Sequence, residues 1–285
     1  MTSLLGSALP GIAEDPPVQI FTEETRIPFM DPNSHEALLR RREAGTLKWR
    51  GPALMLFARA AFAVGAKAIV AAVFALRASP TPWHDAEPWL PVYGTLIDAG
   101  CLTLLWRLTR REGIGLFDLV GFERARLVRD ALLGFALIPV ALVFIFGGTY
   151  AAGWLVYGTP TPPYLLGGLP LTAALYGVLV FPFIWGLTEQ MTYNGYLLPR
   201  LQVLFRSASL AIVFVAFVWS AQHAFMPLTF DARFMAFRLL ASVPNSVFQT
   251  LVYLRLRRLV PFAIAHAVMD GASVLIGVLL PLMRA

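Results

Sequence analysis

The sequence predicts an all-α fold, a polytopic transmembrane helical bundle of about seven to eight spans, and three observations lead there. First, 58% of the 285 residues are hydrophobic and only 14% are charged. An ordinary soluble domain is about 45–50% apolar and about 25% charged. Second, seven apolar runs reach the length of about 17–25 residues that a bilayer-crossing helix needs. They are Ala53–Leu76, Leu90–Trp106, Ala131–Tyr157, Leu171–Leu198, Leu210–Met226, Phe234–Leu254 and Val260–Leu280. Third, the basic residues are unevenly spread. With the N-terminus in the cytoplasm and seven spans threaded, 17 Lys and Arg fall on the cytoplasmic side, 3 on the opposite side and 3 within spans. That asymmetry follows the positive-inside rule. The formal charge of +6 is therefore a topology signal, and no nucleic-acid partner is expected. A lone Cys101 excludes a disulfide-stapled module, and the apolar content excludes disorder over most of the length.

Residues 1–52 hold no spanning run and form an N-terminal segment expected in the cytoplasm. They also lack an apolar stretch followed by a small-residue cleavage site, so no cleaved signal peptide is expected. Residues 1–30 are polar and rich in Pro, the composition of a poorly ordered terminus. After them, Asn33 or Ser34 can cap a short amphipathic basic helix from about His35 to Ala44, with Gly45 as its stop. Its Arg40, Arg41 and Arg42 suit an anionic membrane surface. Residues 53–285 make up the transmembrane domain. In the first two spans Lys67 and Asp98 lie at similar depth and are expected to pair, while Arg59 and Arg238 are expected to snorkel to opposite faces.

The C-terminal half carries a different kind of polarity. Glu189 sits in the fourth span, His223 in the fifth, and His266 with Asp270 in the seventh. At about 1.5 Å per residue, Glu189 is about 16 Å from the cytoplasmic end of its helix and His223 about 22 Å. His266 and Asp270 come out at about 12 and 18 Å by the same rise. All four thus fall in the middle of a hydrocarbon core about 30 Å thick. Ionisable groups there are costly and mark function by default. His266 and Asp270 share a helical face at i,i+4, as do Trp219 and His223, and Gln190 and Asn194.

Several chemistries lack their parts. Ser220 has no G-x-S-x-G elbow around it, and Cys101 has no basic neighbour to ionise it. Two His and a carboxylate would suit zinc, but H-E-x-x-H is absent, so no cofactor is expected and zinc is the minor alternative. The remaining scheme makes Glu189 the general base on a water oriented by a His, with an oxyanion stabilised near His266 and Asp270. Pro182 and Gly186 would loosen the start of the fourth span, and Asn245 and Gln249 in the sixth are expected to hydrogen-bond between helices.

The run from Glu189 to Leu197, EQMTYNGYL, resembles the E-E-x-x-x-R-G-Y-L signature of the CPBP intramembrane proteases, which include type II CAAX prenyl endopeptidases and bacteriocin-processing and self-immunity proteins. Trp219 to His223 is similar to the family's second motif, and His266 to Asp270 to its H-x-x-x-N/D motif. The resemblance spans residues 181–275 within a motif-bearing core at about 171–281. It implies a glutamate-dependent peptidase in which Glu189 activates water with His223, while His266 and Asp270 bind the oxyanion or hold the geometry. Gln190, Asn194 and Trp219 would support them. Two positions depart from the signature: Gln190 stands for its second Glu and Asn194 for its Arg. A carboxylate and a guanidinium are lost together, and the two amides can still hydrogen-bond one turn apart.

The expected function is an intramembrane endopeptidase acting on a membrane-embedded or prenylated or otherwise lipidated protein. A non-catalytic binding or immunity protein of the same fold is the alternative, and a proton-coupled transporter a third. The expected setting is a bacterial inner membrane; the oligomeric state is not encoded in any motif.

Overall fold

The computed structural model describes residues 31–160 and 168–284, so the Pro-rich segment 1–30 lies outside the described residues. Every regular element among those residues is helical. Helix α1 (His35–Glu43) starts at Ser34, whose hydroxyl accepts from the Ala37 amide, and ends before Gly45 at φ +72°. Its Leu38 is buried against Leu47 and Val203, so the helix packs on protein. Helix α2 (Arg50–Leu76) is followed by the short α3 (Pro82–Asp85) and a 3₁₀ turn at Glu87–Trp89. Then α4 (Leu90–Arg111) returns, with Pro91 in its first turn where no donor is lost. Helix α5 (Leu127–Tyr157) runs 31 residues and stops at the left-handed Gly158.

The fourth apolar run is not one helix. Helix α6 (Leu171–Leu179) and the segment from α7 (Phe181–Gln190) to Phe205 are bent by 42°. Pro182, in the first turn of α7, has no amide to continue the ladder across the break. A π-helical turn covers Met191–Leu197 before α8 (Leu198–Phe205). Next come α9 (Ala208–Gln222), capped by Ser207, a 3₁₀ turn at His223–Phe225, α10 (Ala232–Leu256), α11 (Val260–Val274) and α12 (Leu280–Arg284).

The seven apolar runs are all helical, but they do not all qualify as spans. Among the described residues, five helices are long and apolar enough to cross a bilayer, or six with the bent pair counted as one. Helix α10 has the length and falls short in apolarity, because Arg238, Asn245 and Gln249 interrupt it. The outward faces are those of an integral membrane protein. On α5, Leu132, Phe135, Val143, Phe146 and Leu155 are all exposed, a stripe that water would not tolerate. Without a hydrophobic drive between helices in lipid, close backbone approach holds them together. A Cβ on Gly148 of α5 would collide with the Ala241 carbonyl of α10.

The interior charges pair differently from the sequence expectation. Asp98 meets Arg59 Nη1 at 2.8 Å, and Lys67 Nζ meets Glu87 at 3.2 Å and the Leu228 carbonyl at 2.6 Å. Counting depth along spans could not see Glu87, which lies in the connection between them. Arg59 does not snorkel either: it is wholly buried. Helix α2 begins at Arg50, so Arg59 lies about 14 Å along it, too deep to reach the surface. Arg238 is held by the Met226 carbonyl at 3.1 Å, half-buried between α10 and the 3₁₀ turn. Gln249 accepts from Gln190, the expected interhelical bond, whereas the Asn245 side-chain oxygen has no hydrogen-bond partner.

Candidate active site

The site forms where α7 ends and its π-helical turn begins. A π turn adds a residue to the helical cycle, re-aims the side chains around it and recurs at functional sites. Glu189 and Gln190 are the last residues of α7, and Asn194 lies within the turn; all three are buried. The Gln190 side-chain oxygen accepts from Asn194 Nδ2 at 2.8 Å, so the pair one turn apart is hydrogen-bonded. The other end of the Gln190 amide donates to Gln249 of α10 and faces His266 Nδ1 of α11 at 3.2 Å. One neutral side chain thus ties three elements together with its oxygen and both N–H groups used.

Gly186 sets how closely α7 and α11 approach. A Cβ there would lie 3.0 Å from the Ala267 amide nitrogen and 3.2 Å from His266 Cβ. Hydrogen on that glycine lets His266 come within reach of the Gln190 amide one turn later. His266 Nε2 lies 3.5 Å from Asp270 Oδ2 on the same helix. Because the Gln190 N–H groups can only donate, His266 Nδ1 accepts and the proton of a neutral imidazole sits on Nε2, toward Asp270.

Glu189 Oε1 accepts from the Trp219 indole N–H and from Gln222 Nε2, the latter at 2.7 Å. Trp219 is itself stacked on Tyr193 at 5.0 Å. His223 Nδ1 lies 3.0 Å from the Trp219 carbonyl, which can only accept, so Nδ1 carries the proton of the neutral ring. His223 Nε2 then points a lone pair toward Glu189 Oε1, 4.0 Å away. Glu189 is sealed, but the side chains of His223, His266 and Asp270 keep 23%, 11% and 27% exposure. The site is therefore a buried carboxylate behind a rim of three polar groups open to a substrate.

The structure also places residues that the sequence did not single out. Arg59 Nη2 lies 3.6 Å from Glu189 Oε2, its Nε donates to Gln222 Oε1 at 3.0 Å, and its guanidinium stacks on Trp185 at 4.4 Å. Tyr193 donates to the same Gln222 oxygen at 2.9 Å. Gln222 was legible as the neighbour of His223, three residues beyond Trp219. Arg59 carried one signal, a permanent charge well inside a spanning run. No group of three His, Cys, Asp or Glu side chains among the described residues is arranged to hold a metal ion.

Residues 170–272 match the family model for Rce1-like proteins, described as type II CAAX prenyl endopeptidase Rce1-like. The matched stretch is about a third of the chain; it contains all seven residues singled out from the motifs and excludes Arg59 and Asp98. No curated protein and no solved structure matches the chain.

Proposed function

We propose that this chain is an intramembrane endopeptidase that cleaves a membrane-embedded or prenylated protein by Glu189-activated attack of water. The observation that carries the reading is the pair of acceptors facing one another, Glu189 Oε1 and the bare Nε2 of His223, 4.0 Å apart. A water molecule has two O–H donors, one for His223 Nε2 and one for the Glu189 carboxylate, whose Oε2 has no hydrogen-bond partner, and this leaves its own lone pair for the substrate. Glu189 takes one proton as the water oxygen adds to the scissile carbonyl. The C–N bond then breaks while that proton passes to the departing nitrogen, so one water is consumed and a carboxyl and an amine leave. His266 Nε2–H, not hydrogen-bonded to Asp270 at 3.5 Å, is the donor for the oxyanion; the Gln190 N–H on Nδ1 fixes the ring, and Asp270 one turn on holds the geometry of the rim. Trp219 and Gln222 hold the carboxylate rotamer, and Gln190 with Asn194 holds His266.

His266 and Asp270 stand inside α11, whereas His223 opens the 3₁₀ turn that closes α9, nearer a helix end than the sequence depth implied. A rim built on spanning helices suits a substrate held in lipid by a prenyl chain or a hydrophobic segment. The N-terminus is assigned to the cytoplasmic side on the asymmetry of basic residues, in the bacterial inner membrane expected from the sequence. The scheme uses no metal ion. A non-hydrolytic binding protein of the same fold is the second reading, favoured by the amide at Gln190 where the signature has a carboxylate.

The test is release of peptide from a farnesylated C-A-A-X peptide by the full chain in proteoliposomes, compared with Glu189→Gln and His223→Ala. The expected loss is about 10³-fold or more for Glu189→Gln and about 10²–10⁴-fold for His223→Ala. Release unchanged in both variants refutes the mechanism. Elemental analysis runs alongside: stoichiometric zinc that disappears in His266→Ala would replace the scheme with a metallopeptidase.

A further inference from the structure

Arg59 belongs to α2, outside the matched stretch, yet it closes a ring around the proposed base. Its Nε donates to Gln222 Oε1 at 3.0 Å, Gln222 Nε2 donates to Glu189 Oε1 at 2.7 Å, and Glu189 Oε2 lies 3.6 Å from Arg59 Nη2. Nη2 and Oε2 are the two atoms of this ring with no hydrogen-bond partner, and each is buried. The far side of the guanidinium is fixed by Asp98 Oδ1 at 2.8 Å and by the Trp185 ring. A guanidinium presents its donors in a rigid planar fork. Anchoring that fork at Asp98 and Trp185 therefore fixes where its other edge points, which is at Glu189 and at the residue before His223. The signature's own charged pair is absent here, since positions 190 and 194 are amides.

We infer that Arg59, anchored by Asp98, is a positioning residue that supplies the charged support of Glu189 and sets its carboxylate against His223 from outside the motif-bearing core. This rests on the hydrolytic reading of the site. The support has moved from the motif helix to α2 and α4, so the working site includes a helix pair that the motifs do not reach.

A structural role and a positioning role make different predictions for one variant. Removing Arg59 alone strands Asp98 as a buried, uncompensated charge and endangers the fold. Removing both, as Arg59→Met with Asp98→Leu, replaces the ion pair by apolar volume, a change that is often neutral for stability. The readout is release of the farnesylated peptide by the full chain in proteoliposomes, with thermal unfolding measured on the same samples. The expected result is a double variant that unfolds near the wild-type temperature while kcat falls about 100-fold, the order expected for a misplaced reacting group. KM should stay within about 3-fold, since the change acts away from the substrate. Arg59→Lys should recover part of the loss, because it returns the charge without the Nε bond to Gln222. A double variant with wild-type kcat overturns the inference and leaves Arg59 a structural residue.

A second arm needs no substrate. The infrared band of the Glu189 carboxyl, assigned by its loss in Glu189→Gln, is expected to move in Arg59→Lys and in the double variant; an unmoved band overturns the inference. If the wild-type protein releases no peptide, the hydrolytic reading fails, and the infrared arm still decides whether Arg59 governs Glu189.

Discussion

Two arginines, Arg59 and Arg200, are completely buried, and they are used in opposite ways. Arg200, on α8 beyond the π-helical turn, has all three guanidinium nitrogens hydrogen-bonded. Its Nε and Nη2 bind the Glu112 carboxylate at 2.7–3.0 Å, and its Nη1 donates to Asn33 Oδ1 at 3.0 Å and to the Tyr196 carbonyl at 3.1 Å. Asn33 in turn donates to the Gly195 carbonyl inside the π turn at 2.7 Å. That cluster locks the end of α4, the segment before α1 and the motif helix together, with Arg41 Nη1 a further 3.5 Å from Glu112 Oε2. Arg59 is open: one nitrogen is left facing one unpaired oxygen of Glu189. A desolvated guanidinium is costly in either place, so the difference separates a charge that holds the fold from one that serves the site.

This contrast can be broken or sharpened by substitution, starting with the largest expected effect. Arg200→Gln leaves Glu112 buried without its bidentate partner and should destabilise the protein by about 3–5 kcal/mol. Thermal or denaturant unfolding reads the loss, and the fraction that remains folded should hydrolyse at the wild-type kcat. A smaller loss comes from Gly186→Ala, whose methyl would press on the Ala267 amide and His266 Cβ. Overpacking of this kind costs about 1–3 kcal/mol, and here it should also lower kcat by separating His266 from Gln190. Asn33→Ala removes bonds to both Gly195 and Arg200 and should cost about 1–3 kcal/mol in unfolding experiments while kcat holds. The smallest change is expected from Gln190→Glu with Asn194→Arg, which restores the signature's charged pair and lets the carboxylate at 190 accept from a His266 protonated on both nitrogens, so that Nε2 keeps its hydrogen. If Arg59 already provides the support, kcat should shift by less than about 10-fold, equivalent to about 1.4 kcal/mol; activity that appears only in this variant would make the natural protein a non-hydrolytic relative.

The fold was legible because lipid imposes long apolar runs, and each of the seven runs is indeed helical. Their interruptions were harder to read. Pro182 signalled a loosened fourth span, but the bend at Val180 depends on how α6 and α7 pack, and the π turn at Met191–Leu197 has no periodicity of its own. Helix α10 shows the limit of counting runs, since Arg238 and Gln249 bond to neighbouring elements rather than facing lipid. At the site, the residues on one face at i,i+4 could be grouped from spacing alone, as Gln190 and Asn194 were. Arg59 could not. Its partners lie 39, 130 and 163 positions away in the chain, and no local pattern encodes contacts across that distance. Depth counting also started α2 three residues late, which made a deep arginine look shallow.

The most direct measurement sets two charge-free pairs side by side, with Glu189→Gln as the floor of activity. Arg200→Met with Glu112→Leu and Arg59→Met with Asp98→Leu would each be assayed for unfolding temperature and for release of the farnesylated peptide. The Arg200 pair also loses the Asn33 and Tyr196 bonds and should unfold below the wild-type temperature, with its folded fraction hydrolysing at the wild-type kcat. The Arg59 pair should fold near the wild-type temperature while its kcat falls toward the Glu189→Gln floor. Equal kcat in the two doubles, or release by Glu189→Gln at the wild-type rate, would contradict the account.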